Sequence, residues 1–379
     1  MKILLVRLRL IGDVVFTTPL VRALRRGYPD AHISYLVEPA AAPVVLGNPH
    51  LDEVIVIPRR KGVQRLRDDV ATGRRLRGER FDLAVDLHGG PRGSWLTWAT
   101  GAPMRIGYRT AGRSWMYTHA VNRAGDRVPR HAVANQWDLL SPLGIGAADP
   151  ADDPVEMPVD AGTQARVERV LADLGIGPEQ LLILLHVSAG NRFRRWPPEH
   201  FVSLVSSLAG ADPRRRFVLT SGPSDAPAAQ ALVRQINGPS PLPRPPAVYA
   251  ELRLDELRAV ADRASVFIGG DSGPLHLAAT TRTPIVALFG STLPERSMPW
   301  RDARWFAEAV DAGPMPCRPC LQRTCDPGDF RCLTRIAPER VAAAVERALR
   351  AAADRPAAGL DAPPHVRRTE ISTWSTAHA

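Results

Sequence analysis

Short runs of consecutive apolar residues alternate with stretches of helical periodicity through both halves of the chain, the pattern of parallel βαβ units. In the first half the runs predict strands over Ile3–Val6, His32–Val37, Val54–Ile57, Leu83–Asp86 and Arg105–Tyr108, with a helix over Val15–Arg26. The segment Ala147–Val159 is aperiodic and rich in proline and aspartate, which places a linker at 151–160. A second series follows, with strands over Leu182–Val187, Phe217–Thr220, Val266–Gly269 and Ile285–Phe289. Its helices are expected over Pro198–Leu208, Ala226–Gln235, Asp255–Arg263, Pro274–Thr281 and Pro338–Ala353, while Gly238–Pro246, rich in proline, reads as a loop. From Arg355 the chain is small, polar and aperiodic and is expected to be disordered. The reading is α/β, with domains at 1–150 and 161–353 and a disordered tail at 354–379.

Length agrees with two domains, since 379 residues exceed one ordinary core. A net charge of +10 favours phosphate-rich or anionic-membrane partners. That signal is weakened by the near-total replacement of lysine by arginine: only Lys2 and Lys61 are lysines. The opening MKILLVR carries too short an apolar run for a signal peptide and reads as a strand. With no membrane-length apolar stretch, a soluble cytoplasmic protein is expected, at most peripheral to a membrane.

In doubly wound sheets ligands bind at the carboxyl ends of the strands, so chemistry is expected in the loops there. After the first strand, Gly12 and Asp13 open a helix; Asp13 reads either as an N-cap or as a base that takes a proton from an acceptor hydroxyl. VFIGGDSGPLHLAA at 266–279 runs from strand through a glycine turn into a helix. There Asp271 or Ser272 suits a cap, Gly273 permits close approach of a phosphate, the helix start offers N–H groups to an anion, and His276 stands in the first turn. HVSAGNRFRRWPPEHF at 186–201 places Arg192, Arg194 and Arg195 at another strand end, and Asp225 follows a third, either holding a sugar hydroxyl or capping the next helix.

Taken together, IGDVVFTTPLVRALRR, the loop Val187–Phe201 with RRWPPEHF, and GGDSGPLHLAA followed by PIVALFGST resemble glycosyltransferase family 9, the ADP-heptose:lipopolysaccharide heptosyltransferases, over about residues 1–350. The resemblance implies a GT-B fold, two facing Rossmann-like doubly wound domains with a cleft between them. It implies an inverting transfer of heptose from ADP-heptose to a lipid-linked inner-core acceptor at the cytoplasmic surface of the inner membrane, with no catalytic metal. Carried over by position, Asp13 is the implied base and Arg194 the diphosphate-binding cation. Ser188, Asp225, Leu252, Asp271, Ser272, Gly273 and His276 are implied at the donor, and Gly12, Thr17, Arg59 and Arg60 are expected at the acceptor. Two positions depart from the family pattern: Arg194 stands where many members have lysine, and Asp225 where they have glutamate.

Cys317, Cys320, Cys325 and Cys332 fall within sixteen residues, a spacing open to a structural zinc or iron site, to reduced thiols or to disulfides. Arg59–Arg80 carries nine basic and three acidic residues, read either as a solvated helix face or as a surface for acceptor phosphates and anionic lipid. No motif supports nucleic-acid binding. Two alternatives stay open: an inverting transferase of the same architecture with another nucleotide sugar, and a non-catalytic basic binding protein.

Overall fold

The computed structural model of the protein describes residues 1–124, 129–238, 246–320, 322–353 and 369–374. The loop expected at Gly238–Pro246 lies mostly outside these residues. The chain divides into two compact units, Met1–Pro158 with the segment that carries Glu370–Thr373, and a second that begins at Val159.

The first unit runs β1 (Lys2–Val6), α1 (Ile11–Val15), α2 (Thr18–Gly27), β2 (His32–Val37), β3 (Glu53–Val56), α3 (Gly62–Gly78), β4 (Leu83–Asp86), α4 (Pro91–Ala99), β5 (Met104–Tyr108), β6 (His119–Val121) and α5 (Ala132–Trp137). The second runs α6 (Ala161–Asp173), β7 (Leu181–His186), α7 (Pro198–Ala211), β8 (Arg215–Thr220), α8 (Ala226–Asn237), β9 (Ala247–Tyr249), α9 (Leu254–Arg263), β10 (Val266–Gly270), α10 (Gly273–Ala278), β11 (Ile285–Phe289), α11 (Pro294–Ser297), β12 (Ala307–Asp311), α12 (Arg331–Thr334) and α13 (Pro338–Ala353). The chain returns to the first unit as β13 (Glu370–Thr373). The helix predicted over Val15–Arg26 begins three residues later, as α2, and a separate short helix, α1, ends at Val15. Pro19, in the first turn of α2, has no N–H to continue the ladder from α1, and Phe16 and Thr17 form the joint.

Each unit holds one sheet whose paired strands are parallel, in the order β13, β3, β2, β1, β4, β5, β6 and β12, β11, β10, β7, β8, β9. Interior strands are covered on both faces, which is why their sequences are almost wholly apolar. Leu4, Val6, Leu36, Ile55, Ala84, Phe81 and Leu96 pack one face of the first sheet. In the second, Val341, Ala344, Val345 and Ala348 form an i, i+3, i+4, i+7 stripe on α13 that packs with Phe201, Leu204 and Leu208 of α7 against Ile183, Leu185 and Val286.

In both sheets the chain builds outward from its first strand and then resumes on that strand's other side. β1 therefore lies between β2 and β4, and β7 between β8 and β10. Connections from β1 and β4, and from β7 and β10, leave toward opposite faces, which opens a crevice at their carboxyl ends.

The expected tail is corrected over residues 370–373. These pair with β3 in register, Ile371 opposite Val54 and Thr373 opposite Val56, and the Trp374 N–H donates to the Val56 carbonyl at 3.0 Å. The strand covers an edge that would otherwise expose unpaired backbone groups. Trp374 is buried in the core of the first unit with the Arg75 guanidinium 4.7 Å above its ring. The rest of the expected disordered tail lies outside the described residues. Trp374→Ala is expected to lower stability by about 2 kcal/mol and to make Glu370–Thr373 a site of rapid limited proteolysis; unchanged melting and cleavage would show that the strand contributes nothing.

Candidate active site

The crevice of the first unit is built around a buried arginine. Arg7 immediately follows β1 and its side chain is only 6% exposed, so the charge of its guanidinium must be paired to be tolerated. Its Nη2 is ion-paired with Asp13 Oδ2, while Nη1 donates to the Leu87 carbonyl and approaches His88 Nδ1, each at 2.9 Å. Asp13 lies in the first turn of α1 but does not cap it: the N-cap is Leu10, and no side chain bonds there. The capping reading is thus removed, and the carboxylate, one third exposed, is held by Arg7. Gly12 is buried in the same turn. Thr17 is corrected as an acceptor residue, because its fully buried hydroxyl donates to the Val14 carbonyl and bonds the Tyr35 hydroxyl at 2.6 Å.

The β4 side of this crevice was missed from the sequence. Asp86 ends β4 fully buried, and its Oδ1 accepts from the N–H groups of His88 and Gly89 at 2.9 and 3.0 Å, while Oδ2 accepts from the Tyr117 hydroxyl at 2.7 Å. Gly89 has φ +78°. At Gly90 a Cβ would stand 2.7 Å from the His88 ring, so both glycines are required by the turn.

A cavity of about 440 Å³ opens beside this turn, lined by His88, Arg9, Arg59, Arg60, Lys61 and Arg92 among others. Arg92 is locked to Glu38 at 2.6 Å and to Asp69 at 2.7 Å. Arg60 is only loosely paired with Asp68 at 3.4 Å, and Arg59 with Glu38 at 3.8 Å, and both are exposed. The buried acids thus hold the arginines in place while the wall keeps a cationic surplus, a match for anionic groups.

In the second unit, Asp271 follows β10 and is nearly fully buried. Burial alone would raise its pKa, but His276, Arg194 and Thr292 outweigh it and hold the carboxyl at about 2. The Thr292 hydroxyl donates to Oδ2 at 2.7 Å, His276 Nε2 lies 3.4 Å from Oδ1, and Arg194 Nη1 reaches both Oδ2 at 3.3 Å and the Asp271 carbonyl at 2.8 Å. Asp271 therefore anchors Arg194 and does not cap α10, whose N-cap Ser272 also makes no capping bond. With α10 only six residues long, local charge rests on Arg194 more than on a helix dipole. The Ser272 hydroxyl is buried and unbonded, beside Gly273. A Cβ on Gly270 would meet the Arg194 carbonyl at 2.7 Å, so glycine there lets the Arg194 loop lie against β10.

That loop has a second support the sequence reading missed. Gln322 Oε1 accepts from Asn191 Nδ2 at 2.6 Å and from Arg194 Nε at 3.4 Å. Ser188 follows β7 in a relay: its hydroxyl accepts from the Gly222 N–H at 2.8 Å and bonds His186 Nε2 at 3.3 Å. Asp225 caps nothing and pairs with Arg195 at 3.2 Å. Leu252 is half-buried in the connection from β9 to α9.

The four cysteines are free thiols and line one small cavity with Phe193, Ser291 and Phe330. Burial first, then neighbouring Cys317 and Cys325, push the Cys332 thiol up. Among the described residues no three His, Cys, Asp or Glu side chains are gathered as a metal ligand set.

Burial lowers His186 to about 4. The unfolded chain binds a proton there below its ordinary value of 6.5, the folded chain only below about 4, so stability falls as pH drops through that window. The full loss is about 3 kcal/mol. Asp271, with a depressed pKa, loses its contribution at still lower pH, between its ordinary 3.8 and about 2. Thermal melting from pH 7.5 to 4.5 is expected to fall, and His186→Gln to flatten that fall; equal slopes in both proteins would contradict it.

The family model "Glycosyltransferase family 9 (heptosyltransferase)" matches residues 70–329. Lipopolysaccharide heptosyltransferase 3 of Escherichia coli is 28% identical over 318 residues, 82% of this chain and 90% of that one. The structure of E. coli ADP-heptose lps heptosyltransferase II aligns at TM-score 0.70 and 20% identity, over 92% of this chain and 98% of that one. An iron-containing dodecameric glycosyltransferase, TibC from enterotoxigenic E. coli, aligns at 0.53 and 15%, over 94% and 80%. At these identities the solved structures show the fold, the GT-B class with two Rossmann-like units. With more than half its length matched by the family model, the chain belongs to glycosyltransferase family 9, the heptosyltransferases.

Proposed function

We propose that the protein transfers heptose from ADP-heptose to a lipopolysaccharide inner-core acceptor with inversion at the anomeric carbon. The observation that carries this reading is Asp13, a carboxylate that caps nothing and is held by Arg7 at the carboxyl end of β1 with a third of its surface open. Asp13 takes the proton of the acceptor hydroxyl as that oxygen bonds to the anomeric carbon, and the bond to ADP breaks with its electrons passing to the diphosphate. Arg194, pre-set by Asp271 and Gln322, compensates the charge on the departing diphosphate. The unbonded Ser272 hydroxyl and the Gly273 N–H complete the donor contacts we assign, with Ser188, Asp225, Leu252 and His276 around them. A metal has no assigned part in the step.

Arg59 and Arg60 are assigned to anionic groups of the acceptor, which is lipid-linked, so the protein is proposed to work at the cytoplasmic face of the inner membrane. No helix among the described residues is long and apolar enough to cross a membrane. The four cysteines are given a structural task, holding residues 317–332 against the Arg194 loop. As arranged, the thiols do not form a ligand set, so a zinc or iron ion would require the segment to close further. Elemental analysis of the purified protein decides between thiols and metal.

One observation favours a second reading of the donor: Asp225 is engaged by Arg195, which alters what it offers to a sugar hydroxyl. A panel of nucleotide sugars, assayed with an inner-core acceptor in EDTA, separates the two; ADP-heptose is expected to be consumed fastest, and preference for another sugar would overturn the donor assignment.

Asp13→Asn is expected to lower kcat by about 10²–10⁴-fold with the affinity for ADP unchanged; near-normal turnover would remove Asp13 from the role of base. Arg194→Ala is expected to weaken ADP binding about 10–100-fold and lower kcat. Arg194→Lys should restore part of both, since an ammonium keeps the charge but not the fork. Unchanged ADP affinity in calorimetry of Arg194→Ala would show that another group grips the diphosphate.

A further inference from the structure

The first crevice contains a side chain that the proposed reaction does not use. His88 is fixed on three sides. Its backbone N–H is held by Asp86, its ring lies against Gly90, and its Nδ1 faces Arg7 Nη1 at 2.9 Å. The residue is nonetheless exposed and lines the cationic cavity of the first unit, and the absence of a Cβ at Gly90 leaves open the space beside its Cδ2–Nε2 edge. Ordering a side chain so fully while leaving it open to solvent costs entropy that packing does not recover.

The proton positions follow from the partners. A guanidinium has only donors, so Nδ1 must accept, and the ring proton must sit on Nε2. Burial first and the Arg7 charge second lower the pKa of His88, against the opposing pull of Asp86 and Asp13, with Arg123 adding to the lowering. The ring is therefore a neutral donor in a wall whose cations, Arg9, Arg59, Arg60, Lys61, Arg65 and Arg92, outnumber its acids, Glu38 and Asp86. Neutral N–H groups suit sugar oxygens, whereas Arg59, Arg60 and Lys61 suit anionic ones.

We propose that Arg7 is a positioning residue that sets Asp13 and His88 together, and that His88 binds the acceptor sugar by offering its Nε2–H to a sugar oxygen. The two residues hang on the two terminal nitrogens of one guanidinium, Nη2 on Asp13 and Nη1 on His88. Displacing Arg7 therefore disturbs both base and binding group at once. The assignment of a sugar acceptor rests on the proposed heptose transfer; the arrangement of Arg7, Asp13 and His88 does not.

The test is calorimetric titration of a deacylated inner-core oligosaccharide, and separately of ADP, into the full-length protein, paired with steady-state kinetics. His88→Asn keeps an acceptor near Nδ1 and removes the Nε2 donor. It is expected to weaken oligosaccharide binding about tenfold and raise the acceptor KM equally, with kcat within about threefold and ADP affinity unchanged. His88→Gln, whose amide reaches the Nε2 position, should recover most of the affinity. Arg7→Lys should both weaken the oligosaccharide and lower kcat, again with ADP affinity unchanged. Melting temperatures near that of the parent show that each variant is folded. Oligosaccharide affinity unchanged in His88→Asn, or loss not recovered in His88→Gln, overturns the role of His88. An Arg7→Lys variant that loses only stability overturns that of Arg7. A parent protein that binds the oligosaccharide but proves fully active as Asp13→Asn contradicts the base assignment and leaves the His88 result to be read by affinity alone.

Discussion

A parallel strand can be left only at its carboxyl end, and two neighbouring strands whose connections depart to opposite faces leave a crevice there. This constraint acts twice in the chain, between β1 and β4 and again between β7 and β10. Arg7, Asp13 and His88 belong to the first, and His186, Ser188, Arg194 and Asp271 to the second. In each crevice one arginine and one aspartate carry the order. In the first unit the arginine is buried and the aspartate is left partly open, which suits an aspartate that must meet substrate. In the second the aspartate is buried and the arginine partly open, which suits an arginine that must meet a diphosphate. The two units use the same pair of residues with exposure reversed.

What could be read in the sequence follows from burial. The nine strands found from their apolar runs are all interior to their sheets, where covering on both faces demands such runs. The four that were missed, β6, β9, β12 and β13, are the four edges. Ala307–Asp311, AEAVD, and Glu370–Thr373, EIST, carry acids and small polar residues that an edge tolerates and an interior strand does not. Base-like and diphosphate-binding candidates were legible because they sit at strand ends beside glycine turns. His88-Gly89-Gly90 meets that same description at the end of β4, but its acid, Asp86, lies inside the apolar run of the strand and reads as part of it.

Other features had no local signal. That Asp271 would anchor an arginine 77 residues away, and leave α10 uncapped, depends on the close approach allowed by Gly270. Gln322 supports Arg194 from a segment whose sequence draws attention only to its cysteines. Thr17 was expected at the acceptor, yet the break between α1 and α2 turns its hydroxyl inward to Tyr35. These are consequences of tertiary packing, and strand-end reasoning alone does not reach them.

The claim that both crevices carry the chemistry is tested most directly by a crystal structure of the protein with ADP and an inner-core oligosaccharide fragment bound. The diphosphate is expected at the carboxyl ends of β7 and β10, within hydrogen-bonding distance of Arg194, and a sugar hydroxyl at the carboxyl end of β1 within reach of Asp13. A diphosphate held away from Arg194, or an acceptor sugar with no hydroxyl near Asp13, would contradict it.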